Sequence, residues 1–256
     1  MLRKYWKVIV LLLLTILILL SLVYSIGNSD IDISNIDSDT IDTATDNPGN
    51  NTSKIKKFEV KNIGSDNRGD VELIGPFGNP KSKVKIAYII GVHPAESFTH
   101  ETVYDILSKN NENLKYTYYI YKVNVNDKHS QKNGRLNGQN LSSKYIVPDV
   151  IKKDYDLVVD FHSNQGQKGS GYEKVNFIFA PLNQNKSKEL GDRILSKIPD
   201  MDYYFPPTQT STKFIAIPIM NSGKPTLVFE TYEFQEESKT IHYVQEIIDV
   251  IDNLNF

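Results

Sequence analysis

The stretch KVKIAYIIGVHPAE, residues 83–96, joins an apolar segment to a histidine and a glutamate. The β-branched and apolar residues at 83–90 predict a strand, and the apolar spacing at residues 97–110 predicts a helix. His93 and Glu96 therefore lie on the turn from a strand into a helix. In α/β proteins ligands bind at the carboxyl ends of strands, and imidazole and carboxylate groups are common Zn²⁺ ligands. We expect this turn to carry part of a metal site.

Composition restricts the class of protein. The chain has 256 residues, of which 39% are hydrophobic and 23% charged, so it is long enough for one packed domain and an extension. Its net charge of −2 gives no electrostatic reason to expect nucleic acid as a partner. The sequence has no cysteine, which excludes disulfides, thiolate metal ligands and a cysteine nucleophile.

The amino-terminal part of the sequence predicts a membrane anchor. Residues 1–7 form a basic tail, and an apolar run at residues 8–26 follows it. A helix over that run, at about 1.5 Å per residue, spans roughly 28 Å, close to the hydrocarbon thickness of a bilayer. Because the basic residues precede the run, the positive-inside rule places the amino end in the cytoplasm and the rest of the chain outside. A cleaved signal peptide is the alternative, although its apolar region is usually shorter, about 7–15 residues.

The remainder divides into a linker and a folded domain. Residues 27–56 are rich in Asp, Ser, Asn and Thr and poor in aromatic residues, which predicts a disordered acidic linker. In the domain predicted for residues 57–256, strands alternate with helices. This order favours an α/β fold with a mixed, mostly parallel central sheet covered by helices. A polar loop is predicted at residues 126–142. The strands predicted around it include residues 84–90, 116–125, 157–161, 214–220 and 226–229.

Two later strands also end in residues that bind metals or transfer protons. His162 stands at the carboxyl end of an apolar strand, with Asp160 two residues before it and on the same face. A carboxylate in that place orients a metal-binding imidazole, which favours His162 as a metal ligand. The alternative interpretation is a histidine that ends the strand and binds no metal. Glu230 closes another apolar strand. Burial of an unpaired carboxylate is costly there, so this residue is either paired or functional.

Three strand ends at one edge of the sheet would bring these residues together. His93, Glu96 and His162 then supply two nitrogens and a carboxylate oxygen, and they leave a fourth position open for water, as in catalytic zinc sites. Glu230 would be the base that takes a proton from that water. A membrane structural protein with incidental motifs is a further alternative, and it predicts that the three ligands lie far apart.

The order of these motifs resembles that of a known family. Gly-x-His-Pro-x-Glu, an Arg-containing loop, Asp-x-His and a late strand-end Glu are similar to the zinc carboxypeptidase superfamily, and within it to the succinylglutamate desuccinylase/aspartoacylase-like branch. The resemblance covers residues 83–256. It implies one Zn²⁺ held by His93, Glu96 and His162, with Glu230 as general base and acid. It also suggests that Arg135 polarises the scissile carbonyl and stabilises the oxyanion.

The sequence departs from the family at the group that binds a substrate carboxylate. The family has an Asn-Arg pair a few residues after the Arg, and Ser142 and Ser143 occupy that place here. Serine cannot make a bidentate carboxylate contact, whereas Lys144 could substitute as a point charge. The resulting substrate-binding candidates are Asn140, Ser142, Ser143, Lys144 and Tyr232.

The hypothesis from the sequence is a membrane-anchored, extracytoplasmic zinc hydrolase. It would cleave an amide bond in a peptide, a cell-wall peptide or an N-acyl amino acid through a metal-activated water. Its expected partners are that substrate and, through the amino-terminal helix, the membrane. A non-catalytic ligand-binding domain on the same fold is the alternative, because the Asn-Arg pair is missing.

Overall fold

A computed structural model describes residues 58–127, 131–169, 171–183, 185–208 and 210–256. The basic tail, membrane anchor and linker predicted for residues 1–56 lie outside these ranges. Within them, no helix combines the length and the apolar character needed to cross a membrane.

One sheet of eight strands forms the centre of the described part of the chain. Its strands lie in the order β1-β2-β4-β3-β5-β8-β6-β7. The central four, β4, β3, β5 and β8, are parallel, whereas β2 and β6 pair antiparallel on either side of them. The prediction of a mixed sheet covered by helices is confirmed. The strands are β1 (Glu59–Asp66), β2 (Gly69–Gly78), β3 (Lys85–Ile90), β4 (Thr117–Val125), β5 (Leu157–Asn164), β6 (Phe177–Phe179), β7 (Asp202–Tyr203) and β8 (Thr226–Tyr232).

Helices cover both faces of this sheet. In β3, Tyr88 and Ile90 pack with residues of α1 and α7 on one face. Ala87 and Ile89 pack with residues of α2, α3 and α6 on the other, because successive side chains of a strand point to opposite faces. The helices in the described ranges are α1 (Ser97–Asn110), α2 (Gln131–Leu141), α3 (Val147–Ile151), α4 (Asn185–Leu195), α5 (Ser211–Phe214), α6 (Ala216–Asn221) and α7 (Glu237–Asp252).

Two sequence predictions of local structure are wrong. Residues 214–220 form the end of α5 and most of α6 instead of a strand. Ile215 and Ile219 are both buried, which is the i, i+4 spacing of a helix, and Pro218 lies in the first turn of α6, where no N–H is needed. The predicted loop at residues 126–142 contains α2.

The sheet brings three strand ends to one edge. His162 of β5 lies directly opposite Glu230 of β8, and Asp160 lies opposite Ile89 of β3. After β3 the chain turns out of the sheet at Gly91, whose φ is 81°. A Cβ at this position would lie 2.3 Å from the Val123 carbonyl oxygen, so only glycine fits the turn.

Candidate metal centre and catalytic cleft

The three predicted metal ligands converge in the structure. His93, Glu96 and His162 are 2%, 7% and 1% exposed, and one donor atom from each lies within 4.8 Å of the others. Oε1 of Glu96 is 2.7 Å from Nδ1 of His93, and Oε2 is 2.9 Å from Nδ1 of His162. The alternative of incidental motifs, which required these residues to lie far apart, is therefore wrong.

The second nitrogen of each imidazole contacts a buried polar group. Nε2 of His162 is 3.1 Å from Oδ2 of Asp160, although the direction is not that of a hydrogen bond. Nε2 of His93 is 3.1 Å from the side-chain amide nitrogen of Gln139. When Nδ1 binds a metal, Nε2 carries the proton and needs an acceptor. The Asp160 carboxylate lies close enough to become this acceptor after a small rotation, and Gln139 supplies one when its amide oxygen faces the ring.

Opposite charges compensate one another inside this cluster. Burial opposes ionisation of Glu96, but the imidazoles of His93 and His162 hold the pKa of its carboxyl well below the usual range. Burial also opposes a charge on His162, but the carboxylates of Asp160 and Glu96 raise its pKa well above the usual value. Buried carboxylates need a positive partner. A divalent cation held by His93, Glu96 and His162 meets this need, and two imidazoles with one carboxylate suit Zn²⁺.

Glu230 lies beside the ligands without belonging to their group. It follows Phe229 on the buried strand β8 and is 8% exposed. Burial raises the pKa of its carboxyl to about 8, against the opposing charge of His162. Oε2 accepts a hydrogen bond of 3.3 Å from the Asn164 side-chain amide, which orients the carboxylate. A carboxyl with this pKa can both accept and donate a proton near neutral pH.

Helix α2 carries Arg135 to the same place. Nη1 of Arg135 is 3.4 Å from Oε1 of Glu96, and Nη2 donates to Oγ1 of Thr210 over 3.3 Å. The helix packs closely on the turn that holds His93, because Gly138 leaves space for the backbone there. A Cβ on Gly138 would lie 1.8 Å from the Val92 carbonyl oxygen.

A cleft of about 340 Å³ opens onto these residues. Tyr172 and Thr208 form part of its wall, and the Tyr172 hydroxyl donates to the Thr208 carbonyl oxygen over 3.1 Å. Burial raises the pKa of Tyr172 to about 12, so its hydroxyl stays protonated at neutral pH. The lining also includes His93, Glu96, Arg135, Ser163, Asn164, Gln165, Thr210, Glu230 and Glu233.

The candidates for substrate binding lie outside the cleft lining. Beyond α2 the chain continues as a π-helical turn, Ser142–Ile146, toward β1. The buried Ser142 hydroxyl donates to the Gly138 carbonyl oxygen over 2.8 Å, and Nζ of Lys144 is 3.0 Å from Oδ2 of Asp66. The Tyr232 ring packs against Phe234, with ring centroids 5.7 Å apart. Asn140 and Ser143 also lie outside the lining, so a role of these five residues in substrate binding stays a prediction.

Three residues near the site were missed in the sequence. Gln139 lies four residues after Arg135, so its helical position on the same face was a usable signal once α2 was recognised. Glu233 follows Glu230 by three residues, just past the end of β8. Tyr172 reaches the cleft from a segment without regular structure, and no local pattern marks it.

Solved structures of bacterial carboxypeptidases have the same fold. A metallo-carboxypeptidase from Burkholderia cenocepacia is 12% identical, with a TM-score of 0.50 over 78% of this chain and 65% of that one. A candidate carboxypeptidase A from Shewanella denitrificans is 13% identical, with a TM-score of 0.53 over 78% and 65%. A candidate carboxypeptidase from Burkholderia mallei is 14% identical, with a TM-score of 0.50 over 77% and 63%.

This chain therefore spans less than two thirds of the length of each of these proteins. A scan of protein-family models and a search of curated proteins give no match. The described part of the chain has the carboxypeptidase-like fold of these proteins, and its His93-Glu96-His162 group has the donor atoms to hold one metal ion.

Proposed function

We propose that the protein is a zinc-dependent hydrolase that cleaves an amide bond. The observation that carries this proposal is the buried His93-Glu96-His162 group, open to a cleft that also holds Glu230 and Arg135. The substrate classes that we consider are peptides, cell-wall peptides and N-acyl amino acids. The similarity of the motif order to the desuccinylase branch supports the last of these.

The residues around the ligands have distinct tasks in such a reaction. Bound Zn²⁺ would supply a Lewis acid that polarises the scissile carbonyl and lowers the pKa of a water. Glu230 accepts the proton of the attacking water and passes it to the leaving nitrogen, and Asn164 holds its carboxylate in place. The guanidinium of Arg135 lies 3.4 Å from Oε1 of Glu96 and donates to the oxygen on which negative charge develops.

Removing the base tests the proposal. The zinc-loaded, full-length chain is incubated with a panel of cell-wall peptides and N-acyl amino acids, with and without a chelator. Glu230→Gln is expected to lower kcat by about 10²–10⁴-fold, because the proton acceptor is lost. The exposed Glu236, which lies outside the cleft lining, provides the matched control Glu236→Gln. Hydrolysis that survives both the chelator and Glu230→Gln would sink the hydrolase assignment.

A non-catalytic ligand-binding domain is the second candidate. Its support is the absence of the Asn-Arg pair that binds a substrate carboxylate in the similar family. Ser142 and Lys144, which lie near the place of that pair, make other contacts. This candidate predicts that peptides bind the zinc-loaded chain with measurable affinity and that none of the panel is cleaved. Turnover that depends on Glu230 rules it out.

We also propose that the domain is held at the outer face of a membrane. The basic tail at residues 1–7 and the apolar run at residues 8–26 support this. In intact cells, protease added outside should digest the domain while a tag on the amino end stays protected. Digestion of the tag alone would contradict the orientation.

A further inference from the structure

The positively charged side chain of the cleft lining, Arg135, already contacts other residues. Among the residues that the structure describes, Arg135 is the one Lys or Arg side chain in the lining. Its guanidinium contacts Oε1 of Glu96 at 3.4 Å and Oγ1 of Thr210 at 3.3 Å. The proposed reaction also assigns it to the carbonyl oxygen. Arg135 is thus poorly placed to serve as the binding group for a second, charged part of the substrate.

The other basic group considered for that task has a partner elsewhere. Nζ of Lys144 is 3.0 Å from Oδ2 of Asp66 and stacks over the ring of Tyr145 at 4.7 Å from its centroid. These contacts place Lys144 at the exposed side of the π-helical turn and outside the cleft lining. The described part of the cleft therefore offers no spare cation to a substrate carboxylate.

In contrast, the cleft lining contains a carboxylate, that of Glu233, which could bind a charged substrate group. Glu233 directly follows β8, and its backbone N–H donates to the Asn164 carbonyl oxygen over 2.9 Å, which holds this segment beside the end of β5. The exposed Glu233 side chain lines the cleft, and its carboxylate has no hydrogen bond or ion pair with any described residue. The other two acids of the lining differ, because Glu96 contacts both imidazoles and Glu230 accepts a hydrogen bond from Asn164.

We propose that the cleft takes amide substrates that carry a positive charge beside the scissile bond, and that Glu233 binds this charge. The inference rests on the hydrolase function proposed above and specifies its substrate class. An ammonium or guanidinium group makes a charge-assisted hydrogen bond with the free carboxylate. A substrate carboxylate at the same place is repelled, which gives selectivity against the opposite charge. Glu233 is a specificity-determining residue and takes no part in bond cleavage.

Peptides that differ in one side chain test this assignment. The substrates are blocked tripeptides, acetyl-Ala-Xaa-Ala-amide, with lysine, methionine or glutamate at the central position, so that the charge flanks the bonds on either side of it. With the zinc-loaded, full-length chain, kcat/KM is expected to be highest for lysine and lowest for glutamate. Glu233→Gln should reduce the preference for lysine over methionine about fivefold. Glu233→Lys should make glutamate the preferred residue.

Two controls separate this inference from the hydrolase function. Glu236→Gln, an exposed change outside the cleft lining, should keep the wild-type preference. Equilibrium binding of the same peptides to zinc-loaded Glu230→Gln reports the charge preference even where no peptide is cleaved. If no peptide is cleaved but the lysine peptide binds more tightly than the glutamate peptide, the hydrolase function is contradicted and the inference about Glu233 is not. The inference is overturned if the lysine peptide binds no more tightly than the glutamate peptide, or if neither peptide binds. It is also overturned if the preference for lysine survives Glu233→Gln.

Discussion

The two imidazoles of the candidate metal centre have different partners behind them. His162 faces the fully buried carboxylate of Asp160, and His93 faces the neutral amide of Gln139. A carboxylate behind an imidazole makes that imidazole a stronger ligand and fixes its tautomer. The charged support of His162 therefore accounts for more of the expected zinc affinity than the neutral support of His93.

Neutralising Asp160 tests this asymmetry. Asp160→Asn keeps the size of the side chain but removes the charge opposite Nε2 of His162, so zinc binding should weaken about 10- to 100-fold. Competition with a chromophoric chelator measures the affinity. Asp154→Asn, at an exposed position before β5, is the matched control and should leave the affinity unchanged. An unaltered affinity in Asp160→Asn would show that the buried carboxylate does not support the metal ligand.

The Glu230 carboxyl should make the stability of the metal-free protein depend on pH. Its pKa rises from 4.5 to about 8 on folding, chiefly because of burial. The folded state then binds the proton more tightly than the unfolded state, so this contribution is complete below about pH 4.5 and is lost as the pH rises to about 8. Relative to Glu230→Gln, the wild-type free energy of unfolding should fall over this interval. Urea unfolding at pH 5 and pH 8 after zinc removal measures it, and a constant difference between the two proteins would contradict the burial effect.

At the scale of elements, α2 decides how the site is assembled. The helix approaches the ligand turn over Gly138 and thereby directs Arg135 toward Glu96 and Gln139 toward His93. Both side chains depend on one close contact between two backbones. A change at the glycine should therefore affect the metal centre without touching any ligand.

Adding a methyl group at Gly138 is the corresponding experiment. A Cβ there meets the Val92 carbonyl oxygen at 1.8 Å, and backbone atoms cannot rotate away, so Gly138→Ala should cost about 1–3 kcal/mol of stability and weaken zinc binding. In Gly191→Ala, also within a helix, the new Cβ meets the flexible Leu227 side chain at 3.3 Å. This control should change neither quantity by much. Equal effects of the two substitutions in thermal unfolding and zinc titration would refute the role of the close contact.

Local patterns explain which elements were predictable. The strand ends that carry His93, His162 and Glu230 were recognised because an apolar run followed by one polar residue is visible within a few positions. α2 was predicted as a loop because its contact with the rest of the fold uses glycines, which leave no apolar period in the sequence. Residues 214–220 were predicted as a strand because a short apolar run does not distinguish a strand from a helix.

Tertiary geometry decides which residues line the cleft. Counting along the chain from Arg135 made Ser142 and Lys144 substrate-binding candidates, but the π-helical turn after α2 directs this segment toward β1 and away from the cleft lining. Glu233 reaches the cleft only because β8 lies beside β5 in the sheet. Pairing between distant strands of this kind has no signal in the spacing of residues.

At the scale of the whole molecule, the two ends of the four central parallel strands have separate tasks. The metal ligands and Glu230 lie at or just beyond the carboxyl ends of β3, β5 and β8. At the opposite end, the last helix is tied to the start of β4 through Asp252, which is 6% exposed. Its carboxylate accepts hydrogen bonds from the backbone N–H groups of Lys115 and Tyr116 and from the Tyr118 hydroxyl, at 2.8–3.2 Å.

Stability and metal binding should therefore respond separately to a change at Asp252. Asp252→Ala leaves buried donors without an acceptor and should lower the free energy of unfolding by about 2–3 kcal/mol. The zinc affinity of the folded protein should stay the same, because the ligands lie at the other end of the strands. Asp249→Ala, an exposed position on the same helix, is the control and should have little effect on unfolding in urea. A loss of zinc affinity in Asp252→Ala, measured where the protein remains folded, would mean that the two ends of the sheet are coupled.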